Sequence, residues 1–107
     1  MKYKIDLMTT SSSRYWLLPY VIEGFNKYIA SQCYADIRYL LHEDCIIPDN
    51  SKIILDWAKD YYDVIEYHNP HIGLGPSMDY MFKNHVKTKY MFYLQDDWEF
   101  ERTGIDL

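Results

Sequence analysis

Two hydrophobic rhythms alternate along the chain. Short apolar runs of strand type lie at Lys4–Thr10, Ala35–Leu41, Asp63–His68 and Tyr90–Leu94. Between them apolar residues recur every three or four positions, the spacing of one helix face. The first such stripe is Leu18, Val21, Ile22, Phe25 and Ile29, with Glu23, Asn26 and Lys27 on the other side. Pro19 either kinks this helix or sits in its first turn, where its missing N–H is harmless. Ile53, Ile54, Trp57, Ala58 and Tyr61 form the second stripe, after the stop-and-cap signal Pro48-Asp49-Asn50-Ser51. Met78, Met81, Phe82 and Val86 form the third, after a loop from Asn69 to Pro76 that contains Gly73 and Gly75. The hydroxyl run Thr9 to Ser13 predicts caps for the first helix.

Strand and helix alternating in this way build a parallel sheet with right-handed crossovers. The expected fold class is α/β: a three-layer sandwich with a mostly parallel, Rossmann-like sheet of order 3-2-1-4. The last run, Tyr90 to Leu94, is apolar throughout and reads as a strand covered on both faces.

Composition narrows the partners. A chain of 107 residues, 49% apolar and 25% charged, has room for one domain, spanning 1–107. Its net charge of −5 speaks against a grip on nucleic acid, which calls for a basic stripe. No stretch reads as a signal peptide, and no apolar run approaches a membrane span. Cys33 and Cys45 make neither a disulfide framework nor a metal-ligand spacing, so the expectation is a cytoplasmic protein with reduced thiols.

Candidate chemistry gathers at the carboxyl ends of the strands. The fourth run ends in Asp96, Asp97 and Glu99, hard oxygen ligands suited to Mg²⁺ or Mn²⁺ shared with substrate phosphates. The second ends in Glu43 and Asp44, and the first runs into Thr9, Thr10 and Ser11. Order 3-2-1-4 brings these three stretches to one crevice at the reversal of strand order, where open α/β sheets bind ligands. This reading needs the acids to face a cleft and their strand to lie inside the sheet. Arg14, just past the first strand, is placed to meet a phosphate. His68-x-x-His71 has zinc-like spacing, but Pro70 forbids the helix that would align the rings. Gly73-x-Gly75 lacks the third glycine of a dinucleotide fingerprint, and Ser11 to Ser13 have no His and Asp arrangement for a hydrolase triad. His42 and His85 read as ordinary strand-end and helix-surface residues.

Gly73-Leu74-Gly75-Pro76-Ser77 at the third helix, and Lys87 through Trp98 with its terminal acids, resemble the nucleotide-sugar-binding half of a family 2-like glycosyltransferase of the GT-A fold. The likeness covers nearly the whole chain. It implies a nucleotide-diphosphate sugar donor, an acceptor that stays unidentified, and Mn²⁺ or Mg²⁺ held by Asp97 and Glu99 in an Asp-x-Asp-like motif. It also implies that Thr9 and Thr10 contact the nucleotide, that Glu43 and Asp44 recognise base or ribose, and that Gly73 and Gly75 approach the donor, with Asp96 beside it. Gln95 stands where the usual leading acid would be if the motif is Gln95-Asp96-Asp97. In the family the acceptor site and catalytic base follow the motif strand, so this chain is expected to be truncated after the motif and nearly inactive alone, with three explanations open: a truncated gene product, a fragment, or a stand-alone domain completed by a partner or by self-association into a homo-oligomer. Two alternatives stay open. One is a nucleotidyltransferase, which would carry a glycine-rich basic loop where Thr9 to Arg14 stand. The other is a non-catalytic or remnant association module.

Overall fold

The computed structural model describes residues 3–97. Glu99, half of the expected metal pair, therefore lies outside the described residues. Four strands, β1 (Tyr3–Ser11), β2 (Ala35–Asp44), β3 (Val64–His68) and β4 (Met91–Gln95), form one sheet in the order β3-β2-β1-β4, every pair parallel. The α-helices α1 (Leu18–Tyr28), α2 (Pro48–Ala58) and α3 (Leu74–Asn84) connect them, with a short 3-10 turn at Ala30–Gln32. The α/β class and the strand order are those expected from the sequence.

Topology explains the layers. From β1 through β3 the chain steps twice in one direction across the sheet, then doubles back to β4. Right-handed crossovers therefore put α1 and α2 on one face and α3 on the other. Alternation along each strand feeds both cores. Leu7, Leu41 and Leu94 join Leu18, Val21, Ile22, Phe25 and Ile54 on the α1/α2 side, whereas Met8 and Leu40 join Met81 under α3. β1, paired on both sides, is the most deeply buried strand.

Several sequence expectations shift in detail. Pro19 falls in the first turn of α1 and Pro48 opens α2, both harmless positions for a residue without an N–H. The α1 stripe is buried as expected. On α2 the inward residues are Ser51, Ile54 and Ala58, which leaves Ile53 and Tyr61 exposed. On α3, Ser77 and Met81 are buried and Phe82 is exposed. Thr9 to Ser13 do not cap α1: that helix begins at Leu18 with no side-chain cap, and Thr9, Thr10 and Ser11 are still strand. β4 is an outer strand among the described residues. It pairs only with β1 and is half-buried, with Leu94 alone fully covered, so the strand expected to lie inside the sheet lies at its margin. His42 is not an ordinary strand-end residue either. It is fully buried, and its Nε2 shares a 2.7 Å hydrogen bond with Nδ1 of His68.

Candidate functional site

A cleft of about 280 Å³ opens at the carboxyl ends of the strands. The segment after β1 supplies Ser12 and Arg14, that after β2 Ile46, that after β3 His71 and Gly73, and that after β4 Asp96, while Thr10, Ser11, Asp44 and Gln95 come from the strand ends. The opening lies where strand order reverses, between β1 and β4: the connection that leaves β1 covers one face of the sheet and the one that arrives at β4 covers the other.

One ion pair dominates its mouth. Asp96, only 1% exposed, accepts from Arg14 through Nη2 at 2.6 Å and Nε at 3.2 Å, and also from the Ser12 N–H at 3.1 Å. This two-pronged pairing fixes the guanidinium plane as well as its charge. Burial nevertheless pushes the Asp96 carboxyl above the ordinary aspartate range, with Arg14 and the Ser12 N–H pulling it back. Arg14 is 41% exposed, so its outer edge faces solvent, and its Nη1 lies 3.9 Å from Asp97.

The acids at the end of β2 have different work. Neighbouring residues of a strand point to opposite faces, so Glu43 and Asp44 diverge. Glu43 is fully buried and accepts from the Ser11 hydroxyl at 3.0 Å and the Ser13 N–H at 3.2 Å. Burial raises its carboxyl above the usual glutamate range, partly opposed by those donors. Asp44 accepts from the N–H groups of Ile72 at 2.7 Å and Gly73 at 2.9 Å. Ser13, with φ at +60°, turns the chain after β1, and its hydroxyl accepts the Ile46 and Ile47 N–H groups at 2.9 and 2.8 Å. The hydroxyl run thus satisfies backbone across the sheet end, which is why it is not a helix cap.

Of the residues expected at the site, Thr10, Ser11, Arg14, Asp44, Gly73 and Asp96 line the cleft together. The Thr10 hydroxyl is tied to that of Tyr93 at 2.8 Å. Thr9, Glu43, Gly75 and Asp97 do not line it. Thr9 is buried on the α1/α2 side, its hydroxyl lying toward the Tyr62 phenol without completing a hydrogen bond. Gly75 is exposed in the first turn of α3 with open space beside it. The site expectation did not include Ser12, Ile46, His71, Leu74, Ser77 or Gln95. Ser12 and Gln95 adjoin named residues and follow from strand register; Ile46 and Leu74 carry no sequence signal, being apolar residues exposed in a polar opening.

As a metal site the described residues are incomplete. No group of three His, Cys, Asp or Glu residues among them is placed to hold an ion. Asp96 is committed to Arg14 and Ser12. Asp97 is half-exposed at the mouth and loosely paired, so its carboxylate is open to a cation. His68 and His71 do not converge: His68 bonds His42 and packs edge-on to Tyr80, whereas His71 lines the cleft. Among the described residues no helix is long and apolar enough to cross a membrane. Set against protein-family models, curated proteins and solved structures, the chain has no match in any of the three.

Proposed function

We propose that the cleft binds the diphosphate of a nucleotide-sugar donor, as the donor-binding part of a glycosyltransferase. The observation that carries this reading is Arg14, held by Asp96 at the carboxyl end of a parallel sheet with one edge left toward solvent. A guanidinium fixed in this way presents planar paired donors, the geometry that suits phosphate oxygens. The fold supports the location, since ligands of open α/β sheets bind where strand order reverses. Arg14 orients and binds, while Thr10, Ser11 and Ser12, whose hydroxyls are engaged with Tyr93, Glu43 and the Asp44 carbonyl, shape the cleft.

Charge indicates that Arg14 does not act alone. Asp44 and Asp96 outnumber it in the cleft, and Asp97 lies 3.9 Å from its guanidinium, so a ligand with two or more negative charges needs a further cation. With β4 at the margin the condition of an inner strand is not met, so the donor-site reading rests on Arg14; in this proposal Asp97, beside Arg14, and Glu99 would hold Mn²⁺ or Mg²⁺. When bound, such an ion offsets charge developing on a departing diphosphate. Sugar transfer to an acceptor would follow, with the acceptor unspecified.

Calorimetry with UDP, GDP and ADP, each with and without Mn²⁺ or Mg²⁺, tests the reading. Binding should appear for at least one, strengthen with the metal, and weaken about tenfold or more in Arg14→Ala, the loss of a charge-assisted contact. Asp97→Ala should abolish the metal dependence. If none of the three binds under any condition, the donor-site reading fails and the association module takes its place.

A further inference from the structure

The resemblance gives Asp44 to the base or ribose of the donor, but its surroundings give it to the protein. Asp44 is 7% exposed, and each of its carboxylate oxygens already accepts a backbone N–H, Oδ1 from Ile72 and Oδ2 from Gly73. Charge-assisted bonds at 2.7 and 2.9 Å are at the strong end of what a carboxylate makes with amides. A ligand hydroxyl would have to compete with both.

Those two amides sit where α3 is aimed. Gly73 has φ at +93°, and its carbonyl accepts both the N–H of Ser77 at 3.0 Å and the Ser77 hydroxyl at 2.6 Å. The path runs Asp44, Gly73, Ser77, and so fixes the first turn of the helix whose Leu74 and Ser77 line the cleft. The Asp44 carbonyl meanwhile accepts the Ser12 hydroxyl from the opposite wall at 3.2 Å. Glu43, one residue earlier and facing the other way, fastens that wall through Ser11 and Ser13. The end of β2 thus ties both walls, one acid for each.

We propose that Asp44 is a positioning residue that holds the turn before α3 against the cleft, and does not read the ligand. The effect on ligand rests on the donor-site reading above; the effect on the turn does not. In the unliganded full chain, hydrogen exchange at the Ile72 and Gly73 amides should be about tenfold or more faster in Asp44→Ala, as one charge-assisted bond is lost from each. Asp44→Asn, which keeps one acceptor, should fall between. By calorimetry, affinities for UDP, GDP and ADP should drop by a common factor in Asp44→Ala, with part recovered in Asp44→Asn. Unchanged exchange at both amides overturns the proposal, as does a loss confined to one nucleotide, or faster exchange with affinities unmoved. Should the alanine variant fail to fold, the asparagine variant carries the same comparisons. If the wild-type chain binds no nucleotide, the donor-site reading falls, and exchange still decides whether Asp44 holds the turn.

Discussion

At the scale of single residues, buried carboxylates set what the cleft can tolerate. Asp96 and Asp6 are equally inaccessible, at 1% exposure, yet differently compensated. Burial raises the Asp6 carboxyl, but Arg38 at 2.9 and 3.1 Å, with the N–H groups of Lys87 and Thr88, outweighs it and leaves the group below the ordinary aspartate range. Asp96 has fewer donors and stays above that range. Removing Arg14 therefore leaves a poorly paired buried charge, a change that costs about 1–3 kcal/mol even where water can partly enter. Arg14→Ala is expected to destabilise by that amount in urea titrations at pH 8, and Arg14→Lys by less, because a lysine keeps the charge and loses the two-pronged geometry. The Arg14→Ala penalty should shrink on acidification, because without its partner Asp96 takes up a proton more readily. A penalty independent of pH would show that the ion pair has little hold on Asp96.

At the scale of elements, two glycines two residues apart make opposite demands. Gly73 precedes α3 in a left-handed conformation, and an added Cβ would meet Pro76 at 3.8 Å, an ordinary contact. The cost of Gly73→Ala is thus conformational, about 1–3 kcal/mol, and not a clash. Gly75 lies within α3 with nothing within 4 Å of an added Cβ, so Gly75→Ala should stabilise by a few tenths to about 1 kcal/mol. Thermal melting of the pair checks both signs. The elements themselves were legible in the sequence, because period and turn chemistry are local. Their facing was less so. Ile53 and Tyr61 fit the apolar stripe of α2, but Ser51 is turned inward by its 3.0 Å bond to the Ser13 hydroxyl, a partner 38 residues away. No window of sequence contains that bond.

At the scale of the whole molecule, the sequence revealed which strand ends meet but not which of their side chains are already engaged. The convergence of Thr10, Ser11, Asp44 and Asp96 followed from strand order; the withdrawal of Glu43 into the interior, and the pairing of His42 with His68, depend on packing between strands. These engaged groups give the fold two opposed responses to pH. Burial, followed by the neighbouring His68, holds His42 below the ordinary histidine value of 6.5, despite the pull of Asp44 and Glu66. Its ring packs near those of His68 and Tyr80 on the adjoining elements. A depressed base means that the unfolded chain binds the proton more readily, so stability present above pH 6.5 is lost as pH falls, at up to about 1.4 kcal/mol per pH unit for one proton. Glu43 works the other way. Its raised carboxyl means the folded chain holds the proton longer, so stability declines as pH rises above the usual glutamate value of 4.5. The destabilisation caused by His42→Gln should therefore be greatest near pH 8 and diminish on acidification, whereas that caused by Glu43→Gln should be greatest in acid and diminish as pH rises. Urea unfolding of both variants from pH 4 to 8 reads the two slopes, and slopes of the same sign would mean that one of these groups is not buried as the fold places it.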